Sequence, residues 1–178
     1  ALVRVLVIPA ARGMPPVRLV YAFPVEIAAE ARRLADLLEV APGRIAAVTA
    51  GVPDESLSRR SVAEPWSAND VLAHLRACQD VRGKLVNEML TRNHPVVRYV
   101  SPRTYIRKTN YPDLPFQQSL TTFAADRAGF VQLLRSLSAG QWMRALDLKG
   151  SRTETVLDCA KYLVAHELPH LAQIETLL

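Results

Sequence analysis

The sequence predicts an all-α protein, a four-helix bundle with a long connection between bundle helices 2 and 3 and an extra N-terminal helix. Three observations predict it. Apolar residues recur at intervals of three and four along several long stretches, the period of a helix with one face in a core. Ser-x-x-acid and Ser-x-x-amide signatures, which satisfy the free amides of a helix start, precede those stretches. The core must be aliphatic, since only four Phe and two Trp occur among 178 residues. That length suits one domain, and 1–178 is expected to divide into an arm (1–23), an extra helix (24–41) and a bundle core (42–178).

Two β-prone runs, Leu2–Ile8 and Val17–Phe23, flank a Pro/Gly-rich break and either pair as a ribbon or lie extended over a neighbour. Pro24 suits the first turn of a helix, whose stripe is Ile27, Ala31, Leu34, Leu38 and Ala41. Pro42-Gly43 is expected to break or kink it before 44–50 continues helically with Ile45 and Val48 inward. Ser67 caps the next helix with Asp70, and Val71, His74, Leu75, Cys78, Val81, Leu85 and Met89 form its buried stripe. Residues 93–114 make a connection too long for an ordinary helical hairpin. It is read either as a crossover wrapping the bundle or as a rim over a pocket, its cations serving an anionic ligand. Tyr99, Arg103, Tyr105 and Arg107 are its candidate substrate contacts. A third long helix runs from Phe116 to near Leu137, with Leu120, Phe123, Arg127, Phe130 and Leu134 inward. Ser138 with Gln141, and Ser151 with Glu154, read as further capping boxes, the second opening a last helix from about Thr155.

Composition excludes several classes. Hydrophobic residues at 49% and charged residues at 22% describe a folded globular chain. A net charge of +5 and a pI near 9.6 admit an acidic ligand, but no nucleic-acid recognition motif is present and none is expected as a partner. No run is long enough to span a membrane. The apolar opening is short and stopped by Pro9, so its removal as a secretion signal is not expected. Cys78 and Cys159 fall in separate helices without CxxC spacing, which favours a reducing, cytoplasmic setting.

His74, His166 and His170 all lie on apolar helix faces. One buried imidazole is commonly a satisfied core residue, but three converging from two helices each need a partner, and one divalent ion serves them all. His166-Glu167-x-x-His170 also matches the zinc-protease helix. That reading fails: Pro169 interrupts the motif, the eight residues after His170 leave no room for a distant downstream glutamate, and Gln173 and Thr176 occupy the positions of the glycine and third histidine. His94, beside Pro95, reads as surface. Glu167 points about 100° from His166 around the helix. It is either a partner that orients an imidazole or a partly exposed carboxylate paired with Arg or Lys. Cys78 and Cys159 could approach a metal, though small buried packing is the commoner use.

Trp66-Ser67-x-x-Asp70-Val71-Leu72-x-His74-Leu75, with His166-Glu167-x-x-His170-x-x-Gln173-Ile174 far downstream, resembles the DinB-like group of four-helix-bundle metalloproteins over roughly 42–178. The resemblance implies one divalent metal ion on His74, His166 and His170, zinc or nickel first, iron or manganese next. It implies transfer, hydrolysis or isomerisation of a small molecule, with a low-molecular-weight thiol as cosubstrate in some relatives, and a homodimer as the assembly. The competing expectation is a non-enzymatic bundle whose metal or ligand has a structural or sensing role.

Overall fold

The computed structural model describes residues 4–8, 17–21, 23–60 and 64–178, with side chains from Val25 onward. Strands β1 (Arg4–Ile8) and β2 (Val17–Tyr21) pair antiparallel, Arg4 opposite Tyr21 and Ile8 opposite Val17. The two β-prone runs therefore form the ribbon, and the break between them lies outside the described residues. Helix α1 (Phe23–Val48) follows, then the short α2 (Asp54–Leu57) and α3 (Ala68–Thr91). The long connection holds β3 (Val96–Val97), α4 (Pro102–Ile106) and a 3-10 turn at Tyr111–Asp113. Then come α5 (Phe116–Ser136), α6 (Ala139–Trp142), the hairpin β4 (Ala145–Leu148) and β5 (Thr153–Thr155), and α7 (Val156–Thr176). The bundle is α1, α3, α5 and α7.

The expected extra helix and the first bundle helix are one element. Proline cannot donate to the carbonyl four residues back, and its ring crowds that carbonyl, which ordinarily ends a helix. Here Pro42 sits inside α1, and the Leu38 carbonyl it leaves free accepts a bond from Arg127 Nη1 at 2.9 Å. A side chain from α5 thus supplies the missing donor, and α1 continues.

Two further differences are local. The last helix is capped not by Ser151 and Glu154 but by Thr155 and Asp158, in a full capping box. Residues 149–152 instead turn the β4–β5 hairpin, with Gly150 at φ 74°, a left-handed conformation that glycine adopts without strain. A small sheet in the order β3–β4–β5 is also present, its strands too short to mark themselves in sequence. Ser67 with Asp70 and Ser138 with Gln141 form the boxes expected of them. No helix among the described residues is long and apolar enough to cross a membrane.

The core falls into two apolar clusters. One gathers Leu34, Leu38, Met89, Leu134, Trp142 and Leu163, and the other Ile45, Leu72, Leu75, Phe116, Phe123 and Ile174. Each fully buried Leu, Ile or Phe contributes about 1.5–3 kcal/mol. Along α5 the change from one cluster to the other falls at Arg127, between Phe123 and Val131; along α7 it falls at Glu167, between Leu163 and Leu171. Arg127 is 1% exposed and Glu167 3%. The guanidinium grips both carboxylate oxygens, Gln79 of α3 and the Leu38 carbonyl of α1, so one residue of α5 is bonded to the other three bundle helices.

Candidate metal centre

Two helices supply the site. α3 begins at the Ser67 cap, where the hydroxyl accepts from the Asp70 amide while the Asp70 carboxylate accepts from the Ser67 amide. That start sets the phase that turns His74 and Cys78, one turn apart, inward. α7 presents His166 and His170, also one turn apart, and packs against α3.

His74 Nε2 lies 2.9 Å from His166 Nε2, and Cys78 Sγ lies 3.5 Å from His74 Nε2. The donor atoms of His74, Cys78 and His166 are all within 4.8 Å of one another. The His170 ring completes the group, with centroids 4.9 Å from His74 and 4.8 Å from His166. The structure therefore brings the rings of all three histidines singled out from the sequence into contact, while the donor atoms that meet most closely are those of His74, Cys78 and His166.

The electrostatics favour the neutral forms of His74, His166 and Cys78. Burial, then the neighbouring His170 and His166 and the charge of Arg103, push the His74 imidazole down to about 4. His166 is lowered by burial, by His170 and by Arg82. Burial and the Glu167 charge push the Cys78 thiol up to about 12. A neutral imidazole is a ligand as it stands, whereas a thiol of this kind gives up its proton only to a cation bound beside it.

Around the donors stand aromatic and amide supports. His170 Nδ1–H donates to Gln173 Oε1 at 2.9 Å, which leaves His170 Nε2 as the free lone pair. Tyr162 stacks on His166 at 5.1 Å, and Trp66 lies parallel to His170 at 6.1 Å and edge-on to His74 at 5.3 Å. Behind Tyr162 the buried Arg82 guanidinium sits 3.8 Å over the ring and pairs with Glu154. Glu167 faces away from the histidines into the core, where its oxygens are taken by Arg127. It is neither a partly exposed carboxylate nor bonded to an imidazole.

The donors fit a divalent ion. Two imidazole nitrogens facing each other at 2.9 Å cannot both present lone pairs without a proton or cation between them. Two imidazoles on one tetrahedral zinc stand about 3.3 Å apart, a shift of a few tenths of an ångström. Nitrogen with sulfur and no free carboxylate suits zinc, nickel or cobalt better than magnesium or calcium. His74 also lines an open cleft of about 360 Å³ with Arg60, Trp66, Asp70, Arg103 and Ile106, so the group is reachable from outside.

The candidate substrate contacts separate. Arg103 lines that cleft. Tyr99, exposed, has its ring 5.6 Å from the Arg82 guanidinium. Tyr105 takes a hydrogen bond from Lys84 and lines another groove, about 770 Å³, along α3 and α5. Arg107 caps α4, exposed. Sequence reasoning set two residues aside that the geometry brings in: Cys78, one turn after His74, and Gln173, three after His170. In both the signal was helical spacing from a histidine.

A family model described as the DinB superfamily matches residues 37–174. Among solved structures the chain is similar to YfiT from Bacillus subtilis, described as a probable metal-dependent hydrolase with an unusual four-helix bundle topology. The two share 19% identity with a TM-score of 0.71, over 83% of this chain and 85% of that one, a likeness of fold. No curated protein matches.

Proposed function

The chain belongs to the DinB superfamily, and from that premise we propose that it is a metal-dependent enzyme that hydrolyses a small molecule or transfers a group to or from it. His74, His166 and His170 would hold one divalent ion, zinc or nickel before iron or manganese. The observation that carries the reading is the meeting of these three imidazoles beside an open cleft. The description of YfiT supports hydrolysis as the first reaction to test, and a low-molecular-weight thiol is the cosubstrate to test for transfer.

When bound, such an ion supplies Lewis acidity and activation of water near neutral pH. The chain's own residues do the rest. Burial keeps His74 and His166 unprotonated, Gln173 fixes the His170 tautomer, and Tyr162 and Trp66 hold the rings in place. Trp66 and Arg103 line the approach to His74. Chelation is expected to abolish turnover of small ester, amide or thioester substrates, and one equivalent of zinc or nickel to restore it. Equal turnover by metal-free protein would overturn the proposal.

Cys78 favours a second reading. If its sulfur joins the imidazoles, four protein ligands close the site, as in structural centres. Cobalt-substituted protein separates the two. An intense sulfur-to-cobalt charge-transfer band, lost in Cys78→Ser, together with no turnover, would favour the structural role; its absence leaves a coordination position for substrate.

A further inference from the structure

The charges lining the cleft do not balance. Arg60 is committed to Asp70 by two bonds of 2.5 and 2.6 Å. Arg103 takes part in none of the ion pairs of the described residues. The segments outside the described residues contain no Asp or Glu, so no acid is hidden there. Arg103 is nonetheless not on a loose loop. It is carried by α4, whose Ser101 cap accepts from the Thr104 amide and whose Pro102 is buried. It lines the same cleft as His74. Trp66 lines the cleft as well, giving an aromatic surface in a space large enough for a small molecule.

We infer that this cleft binds the carboxylate or phosphate of a small, partly flat molecule, anchored by the Arg103 guanidinium and packed on Trp66, so that the compound presented to the metal centre is an anion. A guanidinium matches the paired oxygens of such groups in a bidentate fork that lysine cannot reproduce. The inference rests on the metal-centre reading for its link to chemistry, but the binding itself can be tested apart from it.

Trp142 is 2% exposed, so fluorescence quenching by added compounds reports chiefly on Trp66. Metal-loaded protein is titrated with benzoate, phenyl phosphate and the neutral benzamide, which distinguishes a carboxylate site from a phosphate site. Saturable quenching by at least one anion is expected, with affinity falling about tenfold or more in Arg103→Gln and partly recovered in Arg103→Lys. Lys108→Gln, which removes an exposed cation from the same connection, is expected to leave it unchanged. Benzamide binding as tightly as the anions, or an affinity unaltered in Arg103→Gln, would overturn the inference. Repeating the titration on His166→Ala protein separates the two claims. Arg103-dependent binding that persists there supports the anion site, while the metal content of the wild-type protein decides the metal reading.

Discussion

Protein purified without a nickel column and carrying His166→Ala is expected to hold less than about a tenth of an equivalent of metal, where the wild type holds about one. Removing a residue that merely orients a ligand costs about 10–100-fold in affinity, and a ligand itself costs at least that. His74→Ala and His170→Ala should behave alike, because each removes one of three converging imidazoles. Thermal stability gives a second readout. An ion that binds only the folded chain stabilises it by about 4 kcal/mol at a thousandfold excess over Kd. For a chain of this length that is about 8–16 °C in Tm. The wild type should lose this increment on chelation, and the three variants should lack it with or without metal. Wild-type protein without stoichiometric metal, or a His74→Ala variant that keeps it, would remove the metal centre.

The second large effect is expected at the junction of the two core clusters. Arg127→Met would leave the Glu167 carboxylate buried without its cation, and would orphan the Leu38 carbonyl that Pro42 cannot serve. Breaking a buried ion pair from one side costs about 3–5 kcal/mol, or roughly 6–20 °C in Tm. Two charges in a dry core attract strongly but lose hydration, so the pair as a whole is worth far less than its rupture costs. Replacing both partners, Arg127→Met with Glu167→Leu, should therefore recover much of the loss. Chemical denaturation of the three variants checks this, and a single variant within about 1 kcal/mol of wild type would refute it.

These contacts also show what could be read from the sequence. Long helices were legible because periodicity and capping chemistry act within one turn of chain. The stripes on α3 and α5 place Cys78, Phe123 and Arg127 in the interior, where the structure has them. Whether Pro42 breaks or merely kinks its helix was left open, because the bond that compensates it comes from Arg127, far away in sequence. The Ser151 and Glu154 pair imitated a cap because two such pairs lie within eight residues, and only the hairpin turn at Gly150 decides between them. Strands β3 to β5 are stabilised by one another, and none has a period of its own to display. The positions of the histidines followed from helix phase, whereas Cys78 looked like packing because a buried thiol and a ligand occupy the same kind of position. For Glu167 the spacing left a partner of an imidazole and a partly exposed ion pair both open; α7 is enclosed on more than one side, so the carboxylate pairs with an arginine, but in the buried core.

The β4–β5 hairpin has a consequence for how the chain can vary. β3, reached from the end of α3, pairs with β4, and β5 runs directly into the Thr155 cap of α7. The hairpin thus acts as an angular index for the centre, fixing where the rotation of α7 begins. Residues added within the 149–152 turn would leave that index alone. One residue added between Thr155 and His166 would rotate the rest of the helix by about 100°, putting Ala165 and Pro169 where the two imidazoles had been. Length variation should therefore be tolerated on one side of Thr155 and excluded on the other.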